Sequence, residues 1–333
     1  MFTLDPQTAL QLEQYKQQVA RVNGAQNFNA AFNVAPAIEQ KLIEVYRQIT
    51  DFLGKINIQG VKNAHGQKLG LGGNKTAAST TDTRSQPRRP TDIFDLEAVD
   101  DYLCTKTNSD IAYLYEVIDN WGYLPDFQKR LANIAVQIVA EDMQRIGFNG
   151  THRAKTSNKD LYPLLQDVNI GWLEKIRAYN PERHIDGITI GAGQEFKNMD
   201  ALVEMAINEL IAEQHRGASG LTAITSRNLV SDKYVGLLNQ THSPTEQIAA
   251  NALYQKKQLG SLPVDTPAFF VPNGLLITTH DNLSIYKLRG SQRRHIIDEP
   301  NWDRTTDYQS VNECYVVEDY SKTVLIENIV LEG

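Results

Sequence analysis

Leu12, Tyr15, Val19 and Val22 recur at helical spacing behind Asp5-Pro6, a good N-cap followed by a residue preset for the first turn, until Asn23-Gly24 stops the run. The pattern predicts a short, Gln-rich amphipathic helix over Pro6 to Val22. The following AQNFNAAFNVA, from Ala25 to Ala35, is small and polar, so it reads as a linker and the helix as detachable. A second helix is predicted after Pro36, with Ile38, Leu42, Val45, Ile49 and Leu53 on one face and an end before Gly54. The longest predicted helix runs from Pro125 to Ile146. Phe127, Leu131, Ile134, Ile138 and Met143 form its apolar stripe, and GFNG, from Gly147 to Gly150, supplies the stop. At 1.5 Å per residue it spans about 33 Å, long enough to be the backbone of a domain. Two more helices are signposted: DALVEMAINELIAEQ from Asp200, and one opened by the capping box Ser243-Pro244-Thr245-Glu246.

The β-type runs are AFFVP from Ala268, GLLITTH from Gly274, LSIYK from Leu283, ECYVVEDY from Glu313 and KTVLIENIV from Lys322. Helices and strands are mixed without a βαβ repeat, so the fold class is α+β, and no internal repeat is present. Between about Lys55 and Asp110 the pattern fails: short β runs such as KINIQGV enclose LGLGGNKTAASTTDTRSQPRRP, which has little apolar content. No core can form from it. A structureless loop of that length is unusual inside a compact domain, so the segment is expected to be an extended two-legged arm that gains order by contact. With ~20 residues per leg at ~3.3 Å each, it reaches about 65 Å, beyond the radius of a domain of this size.

The chain has 333 residues and a net charge of −7. From Ile296 to Gly333 there are nine acidic residues against two basic ones, which accounts for the whole excess. The remainder is formally neutral and carries no long basic stripe, which argues against sequence-specific DNA binding. No run approaches the ~18 apolar residues of a membrane span. The start, MFTLDPQTAL, has neither a basic n-region nor an apolar h-region, so the expectation is a chain kept in a reducing compartment. Cys104 and Cys314 are far apart without CxxC spacing and read as buried free thiols.

Motifs for chemistry are missing at the positions that would matter. In GLGGNKT a P-loop needs Gly at Asn74 and at Leu69, and in GITIGAGQEF the third Gly of a dinucleotide fingerprint falls on Phe196. The seven histidines, His65, His152, His184, His215, His242, His280 and His295, show no HxxxH or HExxH spacing. GASG at Gly217 is not a nucleophile elbow, and Asp298, Glu299, Asp303 and Asp307 do not follow a calcium-loop pattern. The expectation is therefore no enzyme, no catalytic residue, no cofactor and no metal, in a subunit built for assembly.

The stretches DFLGKINIQGV from Asp51, STTDT from Ser79, GFNG from Gly147 and LQDVNIGWLEK from Leu165 carry a resemblance along nearly the whole chain. It continues in SDKY from Ser231, LPVDTPAFFVPNGLLITTHDNLSIY from Leu262, QRR from Gln292 and YQSVNECYVVEDY from Tyr308. In these the sequence resembles the major capsid proteins of P2-like tailed bacteriophages, which have the HK97-type capsid fold. The resemblance implies a removable N-terminal segment (1–32), an N-arm helix (33–54), an E-loop with its flanks (55–120) and a peripheral domain with a spine helix (121–164). An axial domain (165–287) and C-terminal strands that rejoin the peripheral domain (288–333) would complete it. Phe127, Leu131, Ile134 and Ile138 would form the spine-helix core.

The implied function is structural: pentamers and hexamers of an icosahedral head, closed by heterologous contacts, around double-stranded DNA held without sequence-specific binding. The implied partners are further copies of the chain, a scaffolding protein, a maturation protease and a portal protein, with assembly in the host bacterial cytoplasm, residence in the virion capsid and no membrane. Cleavage is expected between Ala25 and Ala37, at Phe32-Asn33. Arg84, Arg88 and Arg89 with Asp92 and Asp95 are expected to make weak rim contacts between subunits. Lys62, Lys68 and Lys75 are available in the arm, but assembly is expected to be non-covalent. An encapsulin-like shell around protein cargo is the alternative, and a soluble enzyme with an unrecognised site is a third possibility.

Overall fold

In the computed structural model the described residues are 6–23, 31–68, 70–71, 77–90, 94–95, 101–121, 126–231 and 258–332. The helix expected at Ser243, and Asp92, lie outside them. The chain opens with α1 (Pro6–Val22), the short strand β1 (Phe32–Asn33), α2 (Pro36–Ile49) and α3 (Asp51–Lys55). Next come β2 (Asn57–Val61), β3 (His65–Gln67), β4 (Gly70–Leu71), β5 (Phe94–Asp95), β6 (Asp101–Leu103), β7 (Thr105–Asn108) and β8 (Ile111–Leu114). The middle holds α4 (Tyr115–Trp121), α5 (Phe127–Asn149), α6 (Trp172–Tyr179), β9 (His184–Ile190), α7 (Met199–Met205), β10 (Leu221–Thr225), β11 (Gln258–Leu259) and β12 (Leu262–Asp265). The chain finishes with β13 (Leu275–Thr279), β14 (Leu283–Leu288), β15 (Arg293–Glu299), β16 (Arg304–Val317) and β17 (Val324–Leu331).

The strands form two main sheets, and the class is α+β. In the first the order is β1-β15-β16-β14-β2, with β7 and β8 also paired to β16; in the second it is β11-β12-β10-β13-β17-β9. β16 is the central strand of the first sheet, running antiparallel to β14, β15, β7 and β8. β10, β13 and the start of β17 are apolar without alternation, because each of these strands is buried on both faces. Leu276, Leu325 and Ile224 point into a first core with Phe52, Met143, Trp172, Ile285 and Tyr315. Their neighbours Leu275, Ile277, Val324 and Ile326 point into a second core, beneath Leu202, Val203 and Ala206 of α7 and the turn that follows it. The period of two along each strand thus divides its side chains between the cores.

The two sheets draw on segments that are not consecutive in the chain. β17 does not rejoin the first sheet; it pairs with β13 and runs parallel to β9 in the second. Conversely β14 and α6, placed within 165–287, belong with the first sheet and first core, since Leu283, Ile285, Trp172 and Ile176 are buried there. Pairing partners far away in sequence decide both assignments.

The long helix predicted over Pro125 to Ile146 is α5, but only the first half of its predicted apolar stripe is buried. Phe127 and Leu131 are buried in a third core with Leu12, Tyr15, Val19, Tyr113, Ile118 and Ile296. Ile134 and Ile138 are 50% and 38% exposed. Further along, the buried positions shift to Val139, Ala140, Met143 and Ile146, which enter the first core. One helix serves two cores on different faces, so a single stripe extrapolated from its N-terminal half runs out onto the surface. The second predicted helix is likewise broken: Thr50 is extended (φ −117°, ψ 128°), separating α2 from α3, and Tyr46 rather than Val45 is buried. AFFVP is a turn, with Phe269 at φ 63°, and the strand in that region is β12.

Two of the stretches that carry the family resemblance meet at the end of α5. A Cβ placed on Gly147 of GFNG would lie 2.1 Å from the indole of Trp172, and one on Gly171 would lie 2.4 Å from the carbonyl oxygen of Ile146. Trp172 is fully buried among Phe52, Phe148 and Tyr315, and its Nε1–H donates to the carbonyl of Ser284 at 3.0 Å. These glycines are where α5 and α6 approach closely enough for the indole to fill the first core.

Candidate assembly surfaces

The arm is a narrow ribbon rather than an isolated loop. His65, Gly66 and Gln67 pair antiparallel with Leu103, Tyr102 and Asp101, and Gly70 and Leu71 pair with Asp95 and Phe94. The His65 ring lies 3.5 Å from the Asp101 carboxylate across the ribbon. At its root β2 runs parallel to β14, Lys68 donates to the carbonyl of Val317 with its ammonium 4.6 Å from the Tyr320 ring centre, and Tyr102 meets Tyr286 edge-on at 5.2 Å. The described far portion, residues 77–90, is almost entirely exposed. Its local order is a turn at Asp82, whose side chain accepts from the Arg84 amide at 3.0 Å. Arg84, Arg88 and Arg89 all lie exposed on this portion. Asp95 is in β5 opposite Gly70, and its side chain lies outside the described residues.

The N-terminal helix is docked. Leu12, Tyr15, Val19 and Ala20 are buried, whereas Val22, expected on the same face, is exposed. Arg294 of β15 donates through Nη2 to the Tyr15 hydroxyl at 3.2 Å and to Asp307 of β16 at 2.6 Å. Asp307 is fully buried, and its field together with the hydrogen bonds holds the Arg294 proton more firmly than usual despite burial. Burial pushes the Tyr15 hydroxyl pKa up. Phe32 and Asn33 form an edge strand opposite Arg294 and Arg293, with Phe32 half-buried and Asn33 exposed. The first part of the expected cleavage window, residues 25–30, lies outside the described residues.

A crevice of about 360 Å³ lies between α5 and the first sheet, lined among others by Lys106, Asp110, Ile138, Asp142, Arg153 and Lys159. At its floor Lys287 and Glu313, opposite each other on β14 and β16, form a buried pair at 3.8 Å, and the Lys287 ammonium sits 4.5 Å from the Tyr46 ring centre. Burial lowers the Lys287 pKa and raises that of Glu313, each moderated by the other. Such a pair registers two strands; it presents no nucleophile with an adjacent base. His184, His215 and His280 are each beside a single carboxylate, Glu327, Asp319 and Asp265 respectively. Among the described residues no group of three or more His, Cys, Asp or Glu is placed to hold a metal.

Sequence reasoning found the arm and the docking helix by their patterning, but not the contact between Cys104 and Cys314, whose sulfurs are 3.4 Å apart. Only the register of β7 on β16 could have indicated it.

Over 96% of this chain and 98% of that one, the fold matches a chain of the satellite phage P4 procapsid that includes the size determination (Sid) protein, with a TM-score of 0.82 and 33% identity. A fainter likeness, 9% identity and TM-score 0.50 over 85% of this chain and 89% of that one, to the holo-SrpI encapsulin complex of Synechococcus elongatus PCC 7942 concerns the fold alone. The class is a capsid subunit of the HK97-type fold. The profile of the family described as "Phage major capsid protein, P2 family" matches residues 11–329. The "Capsid proteins" of Escherichia phage P2 are 35% identical over 97% of this chain and 94% of that sequence. The chain belongs to the P2 family of phage major capsid proteins. It is a structural, homo-oligomerising protein of the virion capsid and not an enzyme.

Proposed function

We propose that copies of this chain close into the pentamers and hexamers of an icosahedral head that encloses double-stranded DNA. The observation that carries this reading is the projecting arm, whose exposed span over residues 77–90 has no partner core of its own, in a chain of the P2 capsid family. A head-to-tail contact repeated about an axis closes a ring, and an arm that crosses to the next subunit ties the ring together. Arg84, Arg88 and Arg89 are the cationic side of those contacts, with Asp92 and Asp95 as the anionic side. Each such pair is weak and screened by salt, so a misplaced subunit can leave. The joints are non-covalent; a ladder of linked chains on a denaturing gel of mature shells would overturn this.

The same reading has the head assembled in the host bacterial cytoplasm, with a scaffolding protein, a portal protein and a maturation protease that cuts at Phe32-Asn33. An edge strand of two residues opens at little cost and offers a protease the extended backbone it needs. The chain's lack of a basic stripe suits a wall past which DNA slides. Strong, salt-sensitive DNA retention by the soluble protein would contradict that.

The test is expression of the chain alone and with the neighbouring phage genes, followed by negative-stain imaging and N-terminal sequencing of the particles. Closed shells that require the phage genes and a mature chain beginning at Asn33 are expected. Shells that form from the chain alone around protein cargo, with Met1 intact, would favour the encapsulin-like alternative. No shells under either condition would refute both.

A further inference from the structure

Cys104 and Cys314 are separated by 210 residues, yet both are buried with their sulfurs 3.4 Å apart. The register of β7 on β16 sets Thr105 opposite Glu313, and one residue further it sets Cys104 opposite Cys314. Directly opposed residues of an antiparallel pair have Cα atoms about 4.5–5.5 Å apart. That falls inside the ~4.4–6.8 Å range that a disulfide bridges, so the backbone is already placed for the bond. The two thiols sit in a small apolar cluster with Tyr286 and Val316, against which Tyr102, Val61 and Leu288 pack. Tyr102 belongs to the arm ribbon and Cys314 to the central strand, so a bond here would join the root of the arm to the sheet.

The sulfurs are not equivalent. Cys314 can donate its S–H to the Cys104 sulfur, which lowers the Cys104 pKa, while that bond and burial push Cys314 up. Cys104 can in turn donate its S–H to the Tyr286 carbonyl at 3.8 Å, and either sulfur can donate to the other, so the geometry allows attack from either one.

We propose that Cys104 and Cys314 are a modification site, an intramolecular disulfide formed on exposure to a peroxide that staples the arm root to β16. The thiolate of one cysteine attacks one oxygen of hydrogen peroxide, the O–O bond breaks, and hydroxide leaves to give a sulfenic acid. The sulfur of the other cysteine then attacks the sulfenic sulfur. The S–S bond forms, the S–O bond breaks, and the departing hydroxide takes the second thiol's proton as water. Overall two thiols and one hydrogen peroxide give one disulfide and two waters. In the reducing interior of a cell the thiols stay free and the arm root can adjust during assembly, while outside it the staple closes. This timing rests on the proposed shell; the bond itself does not.

The test treats the full-length protein, soluble and in particles, with hydrogen peroxide, then denatures it in N-ethylmaleimide. Expected are a chain lighter by two hydrogens with no maleimide added, a peptide map joining the Cys104 and Cys314 peptides, and recovery of both maleimide sites after dithiothreitol. Two maleimides after peroxide, a sulfinic acid at Cys104 without a crosslink, or disulfide-linked dimers would overturn the proposal. Trypsin cleavage after Lys62, at the arm root, should slow on oxidation of the unaltered protein and be indifferent to peroxide in Cys314→Ala. Equal slowing in that variant would refute the staple. Shell formation is scored separately by negative stain, so failure of the shell reading is told apart from failure of the disulfide.

Discussion

Replacing Gly147 by Ala sets two physical effects against each other, and the structure says which wins. Gly147 lies inside α5, where helix propensity alone would make Ala more stable by about 1 kcal/mol. Packing opposes it. The added carbon would stand 2.1, 2.6 and 2.6 Å from three atoms of the Trp172 ring, whereas carbon contacts settle near ~3.5–4.0 Å, so the ring must retreat by roughly 1.5 Å. It has nowhere to go: the indole is fully buried, with Phe148 and Tyr315 both 5.4 Å away between ring centres. Movement also stretches the bond from Nε1 to the Ser284 carbonyl. Overpacking costs about 1–3 kcal/mol and a compromised buried hydrogen bond about 1–3 more, so the net loss after the propensity gain is about 1–5 kcal/mol. In thermal melts followed by circular dichroism and tryptophan fluorescence the variant should unfold on the order of 2–7 °C earlier. Adding Trp172→Leu, which vacates the site, should cost less than the two single changes summed. A Gly147→Ala protein that melts at or above the parent temperature would refute the reasoning, because it would mean that helix propensity outweighs the contact.

Other perturbations test the remaining contacts. Arg294→Gln leaves the fully buried Asp307 without its ion pair and removes the bond to Tyr15, which should cost about 3–5 kcal/mol in chemical denaturation; Arg294→Met with Asp307→Leu should recover most of it. Glu299 accepts from Thr306, Arg304 and Tyr308, which hold its carboxyl at about 2 against an ordinary 4.5. Its contribution to stability is therefore complete above pH 4.5 and fades as pH falls towards 2, so Glu299→Gln should flatten the pH dependence of the denaturation midpoint across that window, and an unchanged slope would contradict the assignment. Trypsin should cut the unassembled chain after Arg84 or Arg88, and those sites should be protected in closed shells; equal cutting in both forms would remove the arm from the inter-subunit contacts. Leu12→Ala deletes a buried side chain of α1 and should destabilise the full-length chain by about 2–5 kcal/mol in chemical denaturation; an unchanged midpoint would show that α1 is not docked.

Local patterning carried the sequence reading as far as the existence of elements. The Pro6 and Pro36 helix starts, the spine helix, the coreless arm and the strands at Leu275, Leu283 and Val324 are all set by neighbours within a few residues: caps, periodicity, apolar runs and the absence of apolar residues. The candidate residues divide in the same way. Phe127 and Leu131 are buried as their spacing implies, because α1 covers that face, while Ile134 and Ile138 lie beyond the third core and stay partly exposed, Ile138 at the crevice beside the first sheet.

What depends on distant partners was decided by the tertiary structure alone. β17 is apolar wherever it lies, so its composition does not choose between sheets; parallel pairing with β9 and burial between two cores place it in the second. Gly147 and Gly171 read as a stop and a turn until Trp172 is seen filling the space a Cβ would take. Cys104 and Cys314 are unrelated in sequence and become neighbours only through strand register. Periodicity is a property of a few consecutive residues and survives in a string of letters; register, the choice of core and close backbone approach are relations between segments, and they exist only once the chain has folded.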